Sequence, residues 1–216
     1  MRERVIGEIL RGKLIAIVRG MAEDQIVPIA KAIHAGGIKM LEVTFNQSNP
    51  GSFEATARAI SAVREAFGDG GFAGAGTVIT PGQLELAAEA GAQYIIAPDA
   101  NPEIIRRTRE LGLVSIPGAM TPTECVMAHA AGADFVKLFP LGNLGAGYLK
   151  AIRAPLSHIR FLGVGGISEK NAAEFLAAGA AGFGVGGNLV NKDWIEAGRF
   201  DLITELASQY VKAVSG

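Results

Sequence analysis

The stretch AAGADFVKLFP, residues 130–140, carries the end of one element and all of the next. Gly132 suits the position just past a helix, because glycine enters the left-handed conformation without a Cβ penalty. The run Phe135-Val136-Lys137-Leu138-Phe139 then reads as a β-strand, closed by Pro140. The same junction recurs in HAGGIKMLEV (34–43), EAGAQYIIA (89–97), ELGLVSI (110–116) and AAGAAGFGV (177–185). Helix starts are as plain. TPGQ (80–83), NPEI (101–104) and TPTE (121–124) each pair a Thr or Asn cap with proline at the first helical position. Gln83 and Glu124, three residues after their caps, complete two capping boxes.

Working outward from these junctions, strands are predicted near 13–19, 38–44, 72–77, 93–97, 113–117, 134–139, 160–164 and 182–185. A helical segment follows each of the eight, the last starting only near residue 200. No break in composition divides the chain, so the pattern predicts an α/β fold: a single (β/α)8 TIM barrel over residues 1–216. A doubly wound open sheet is the alternative. In barrels of this kind the chemistry sits at the carboxyl ends of the strands.

Composition narrows the function. The chain is 49% hydrophobic with 29 glycines, and 20 basic residues against 21 acidic ones leave a formal charge of −1. No run of like charge stands out, which argues against nucleic acid or an anionic membrane surface as partner. Cys125 is the single cysteine, so no intrachain disulfide forms and a cytoplasmic setting is expected. The opening MRERVIGEILRGKLIAIV breaks its apolar runs with Glu8, Arg11 and Lys13, and so reads neither as a signal peptide nor as a membrane span.

Lys137 is the anomaly in its strand, since an ammonium is costly to desolvate. Apolar surroundings lower an amine's pKa and leave it free to attack a carbonyl as a Schiff-base nucleophile. The competing reading turns Lys137 outward, snorkelling between barrel and helices. Glu42, near the end of the second strand in KMLEVTFN, is either a proton shuttle or a structural counter-ion to Lys137. Arg19 ends the first strand and either grips a carboxylate or lies exposed in its loop. Gly-Val-Gly-Gly occurs at 163–166 and again at 184–187, on the seventh and eighth strand ends. Barrels often bind phosphate with backbone amides from these two loops, and Ser168 is placed to cap the following helix. In GAGTVITP (74–81), small residues leave ligand room beside the Thr77 hydroxyl, although Gly74 and Gly76 also suit close packing. His34, His129 and His158 are spread without ligand spacing and read as structural, so no metal is expected. Cys125 reads as packing.

Taken in order and spacing, LEVTF (41–45), GAGTVITPGQL (74–84), IPGAMTPTE (116–124), FVKLFP (135–140) and GVGGIS (163–168) resemble the 2-keto-3-deoxy-6-phosphogluconate and 4-hydroxy-2-oxoglutarate aldolases. The likeness runs from IAIVRG (15–20) to about Leu189. It implies a cofactor-free class I aldolase of carbohydrate metabolism, of the Entner–Doudoroff kind, usually a homotrimer. Such an enzyme splits a 2-keto-3-deoxy-6-phospho sugar acid into pyruvate and glyceraldehyde 3-phosphate. Residue by residue, Lys137 matches the Schiff-base lysine, Glu42 the general acid/base, and Thr77 a binder of the pyruvate carboxylate. Arg19 and Asn46 fall at carboxylate-side positions, and Gly76, Pro98 and Phe139 at pocket positions. Gly165, Gly166, Gly187 and Asn188 match the phosphate loops.

Departures bear on substrate. Asn46 stands where gluconate-type relatives carry arginine, while Arg19 and Asn46 together resemble relatives acting on the galactonate epimer. Ala97-Pro98-Asp99 replaces the usual Ser-Pro-Gly, Val164 replaces threonine, and Asn188 replaces serine. A barrel isomerase or synthase for another phosphorylated metabolite is the alternative enzyme. A non-catalytic phosphosugar binder is the alternative outside catalysis.

Overall fold

Each junction glycine, at 37, 91, 112, 132 and 179, adopts positive φ in the computed structural model, which describes residues 1–215. The capping boxes form as well: Thr80 accepts from the Gln83 N–H and Thr121 from the Glu124 N–H. Asn101 caps its helix onto Glu103 N–H.

The strands are β1 Leu14–Val18, β2 Met40–Thr44, β3 Phe72–Gly76, β4 Tyr94–Ile96, β5 Val114–Ile116, β6 Gly118–Ala119, β7 Val136–Leu138, β8 Phe161–Val164 and β9 Gly182–Val185. All pair in parallel, in the order β5-β4-β3-β2-β1-β9-β8-β7-β6. At the two ends of this sheet, β5 falls within the predicted strand 113–117, which stops at Pro117 because proline has no N–H to give a ladder, and β6 resumes pairing just beyond the predicted end. β5 pairs with β4 and β6 with β7, so the chain itself closes the ring. The result is a TIM barrel.

Helices separate the strands on the outside: α2 Glu23–Ala35, α3 Phe53–Phe67, α4 Pro81–Glu89, α5 Pro102–Glu110, α6 Pro122–Ala130, α7 Leu141–Arg153 and α8 Ala172–Ala177. After β9 come the short α9 Lys192–Glu196 and the long α10 Phe200–Val214. An additional helix, α1 Arg2–Gly12, precedes β1 and was not anticipated from the sequence.

Two apolar cores follow from strand alternation. Leu41, Val43, Ala73, Ala75, Val136 and Leu138 face outward and pack against the helices. Ile15, Met40, Phe72, Tyr94, Val114, Phe135 and Leu162 face inward and pack with Val5, Ile6 and Ile9 of α1. α1 therefore plugs the barrel at the amino ends of the strands. Arg2 anchors it to Asp134, which also pairs with Arg109 at 2.7 Å and accepts the Ser115 N–H at 3.0 Å. Among the described residues no helix is long and apolar enough to cross a membrane.

Candidate active site

Period two along β7 settles the orientation of the lysine. Phe135 belongs to the inner core and Val136 and Leu138 to the outer one, so Lys137 points into the barrel, one layer nearer the carboxyl end than Phe135. The outward, snorkelling arrangement is excluded. Glu42 stands above Met40 in the same way. They are buried, at 7% and 2% exposure.

Their electrostatics follow from that burial. Desolvation lowers the Lys137 amine below its ordinary range, opposed by the Glu42 charge and assisted by Arg19. Desolvation likewise raises Glu42, opposed by the charges of Lys137 and Arg19. Each group is pushed toward its neutral form, the form needed by a nucleophilic amine beside a proton-holding acid. Among the described residues they form no direct ion pair, and Glu42 Oε2 has no hydrogen-bond partner.

Gly76 makes room for that carboxyl. A Cβ there would lie 1.6 Å from Glu42 Oε1, so a larger residue would displace the carboxyl from this position. Gly74 serves packing: a Cβ would fall 2.2 Å from the Tyr94 ring. Thr77 follows with φ of 57°, a left-handed conformation that costs a β-branched residue about 1–2 kcal/mol. A chain of amides holds it there. Gln83 accepts the Ile79 N–H at 2.9 Å and donates to Gln47 Oε1 at 2.9 Å, and Gln47 Nε2 donates to the Thr77 carbonyl at 2.7 Å. The sequence marked Gln83 only as a cap and gave no sign of Gln47, because their partnership spans 36 positions.

Phe139 covers the amine, with Lys137 Nζ 5.0 Å from its ring centroid. The ring is well exposed and, with Arg19, Val164, Gly166, Asn188 and Lys192, borders a cavity of about 980 Å³ over β8, β9 and β1. Lys137, Glu42 and Thr77 lie beside this cavity and do not line it. Arg19 and Phe139 are where the two regions meet. Asn46 is exposed, and its Oδ1 accepts the Ser48 N–H. Pro98 and Asp99 lie at the surface after β4, where the Asp99 carbonyl accepts the Gly118 N–H.

The glycine loops occupy the cavity wall. Gly165 and Gly166 take φ of 84° and 75°, a consecutive left-handed pair. Gly142 N–H holds the Gly165 carbonyl at 2.7 Å and Asn171 Nδ2 the Gly166 carbonyl at 2.9 Å. Among the described residues the N–H groups of Gly165, Gly166, Gly187 and Asn188 donate to no protein group. Backbone donors without a protein partner, gathered at one cavity, suit an anion.

Two smaller expectations change. Ser168 does not cap the next helix: α8 starts from Asn171, and Ser168 accepts the Lys170 N–H in the turn before it. His129 and His158 are not distant, for their rings meet edge-on at 4.9 Å between centroids on the protein surface. His34 bonds the Gly70 carbonyl. Cys125 is buried and its thiol pushed up to about 11 by desolvation, which suits packing and not nucleophilic work. Among the described residues no three His, Cys, Asp or Glu side chains are grouped to hold a metal.

With this geometry, residues 5–206 match the family model of KDPG and KHG aldolase. The 2-dehydro-3-deoxy-6-phosphogalactonate aldolase of Escherichia coli (strain K12) is 37% identical over 177 residues, covering 82% of this chain and 83% of that protein. The native KDPGal structure is 34% identical, with a TM-score of 0.83 over 93% of each chain. The KDPG aldolase of Legionella pneumophila, solved with pyruvate captured at low pH as a covalent carbinolamine intermediate, is 30% identical. Its TM-score is 0.83 over 94% of this chain and 96% of that one.

Proposed function

This chain belongs to the KDPG and KHG aldolase family, and from that premise we propose which of its residues do the chemistry and which epimer it cleaves. The activity is class I aldol cleavage of a 2-keto-3-deoxy-6-phospho sugar acid through a lysine Schiff base. The observation that carries the residue assignment is the inward pair of Lys137 and Glu42, each held toward neutrality by burial.

The Lys137 amine adds to the C2 ketone to give a carbinolamine; Glu42 gives its proton to the C2 hydroxyl, which leaves as water, so a protonated imine forms and Glu42 is left ionised. Glu42 takes the C4 hydroxyl proton. The C3–C4 bond breaks, its electrons pass into the imine to form an enamine, and glyceraldehyde 3-phosphate leaves. The enamine is protonated at C3, and water hydrolyses the imine to pyruvate and free amine. Arg19, Thr77 and Asn46 serve the carboxylate. Gly76, Pro98 and Phe139 shape the pocket. The amides of Gly165, Gly166, Gly187 and Asn188 hold the phosphate.

The epimer is the 6-phosphogalactonate one. Val164 puts an apolar side chain on the cavity wall where a hydroxyl would otherwise meet the aldehyde half, and two of the relatives above carry the galactonate name. The enzyme works as a cytoplasmic homotrimer, a reading supported by an apolar surface on α6 and α7.

Incubation with pyruvate and sodium borohydride tests the lysine. A single adduct should map to Lys137, and Lys137→Ala should lose it together with at least about 10⁴-fold in kcat. An adduct elsewhere would overturn the assignment. Comparing kcat/KM for the two epimers tests the substrate: parity, or preference for gluconate, would remove the galactonate reading and leave the lysine untouched.

A further inference from the structure

The phosphate subsite is built from two loops that approach one another from separate strands, so something must fix their spacing. Tyr210 stands where such a fastener belongs. It sits on α10, is fully buried, and directs its hydroxyl into the seam between the loops after β8 and β9. The hydroxyl donates to Asn188 Oδ1 at 2.7 Å and lies 3.3 Å from the Ile167 carbonyl. Burial pushes the phenol up to about 12, so it remains a donor at any working pH.

The orientation of Asn188 follows from its partners. Its other side-chain atom faces Glu169 Oε2 at 3.3 Å, and a carboxylate only accepts. The nitrogen must therefore face Glu169 and the oxygen Tyr210. With both ends engaged, the side chain is held in the seam. Asn188 then offers a phosphate its backbone N–H, as Gly187 beside it does. On the other loop, the carbonyls of Gly165 and Gly166 are held by Gly142 and Asn171, and the single O–H proton of Tyr210 is shared between Asn188 Oδ1, the shorter arm, and the Ile167 carbonyl. Tying back the Gly165 carbonyl fixes the peptide plane that carries the Gly166 N–H, one of the cavity donors.

We propose that Tyr210 is a positioning residue for the phosphate subsite: its hydroxyl fastens the β8 and β9 loops together and so sets the spacing of the two groups of backbone donors. This rests on the phosphate assignment of those loops. It predicts an effect confined to the phosphorylated half of the substrate.

The test is Tyr210→Phe, which keeps the ring and removes only the fastener. KM for the phosphorylated substrate and the inhibition constant for inorganic phosphate should rise together by about threefold to tenfold, the scale of one hydrogen bond. The change in kcat should stay within about twofold. Exchange of pyruvate C3 protons with deuterated water needs Lys137 but no phosphate, and should keep its wild-type rate. Loss of exchange in step with phosphate affinity would make Tyr210 a general structural residue and overturn the proposal. An unchanged phosphate inhibition constant would overturn it as well, with the phosphate assignment intact. If inorganic phosphate fails to compete in the wild-type enzyme, the assignment of the loops falls and this inference with it.

Discussion

Lys137 and Glu42 are placed where they weaken the fold they belong to. The folded amine titrates below 10.5, so between its lowered value and 10.5 the unfolded chain binds a proton the native one lacks. Stability therefore rises with pH through that window, and below it the full cost of a buried ammonium is present. Glu42 acts oppositely. Between 4.5 and its raised value the native state holds an extra proton, so stability falls as pH rises there, and above it a buried carboxylate remains. Replacing both charges in Lys137→Met/Glu42→Gln should raise unfolding free energy at neutral pH by about 1–4 kcal/mol and flatten both slopes, with activity gone. Urea titrations across pH would show it, and a double variant no more stable than wild type would sink the idea. These two residues were legible because a charge inside an apolar strand breaks the local pattern. Gln47 and Tyr210 were not: each is an ordinary polar residue whose partners lie tens of positions away, 30 for Gln47 and Thr77, 22 for Tyr210 and Asn188.

At the level of elements, punctuation was readable and plugging was not. Glycine, proline and the Thr or Asn caps mark boundaries through local backbone chemistry, so the strands fell close to their predicted places. The stop at Pro117 and the resumption at β6 needed knowledge of which neighbour each stretch pairs with. The α1 helix escaped for a similar reason. Its buried residues Val5, Ile6, Glu8 and Ile9 sit among charges, and the apolar partners they meet are side chains of β1, β2, β3, β4, β5 and β8. Only the closed barrel creates the hole α1 fills. Ile9 is almost wholly buried there, so Ile9→Ala should cost about 2–5 kcal/mol from lost burial and an incompletely collapsed cavity. Because the plug covers the end of the barrel opposite Lys137, kcat should hold at temperatures where the variant stays folded. Chemical denaturation with a parallel assay decides this. A kcat loss exceeding about threefold at full folding would mean that α1 communicates with the site.

The whole molecule shows a surface that the barrel alone leaves unexplained. Large apolar side chains are exposed at Met120, Val126 and Met127, before and on α6, and at Leu144 on α7. Tyr148 of α7 donates to the Met120 carbonyl, which binds the two helices into one face. Single exposed apolar residues are ordinary, but three on α6 and α7 with a fourth just before α6 favour burial against another copy. Sequence periodicity could not single them out, since it says which residues leave the solvent within one chain and nothing of what a neighbour covers. A closed threefold assembly places the same patch in every interface, against a complementary surface on the next copy. Val126 on α6 is 48% exposed, so in an assembly that covers this face Val126→Glu would bury a charge in each contact. Sedimentation velocity should find the wild type near three times its 22.4 kDa chain mass and Val126→Glu near one. Borohydride trapping on Lys137 in the same samples separates assembly from chemistry: an adduct on the monomer shows that the barrel completes its amine site alone. A wild-type monomer, or a Val126→Glu trimer, would mean this face is covered by nothing of its own kind.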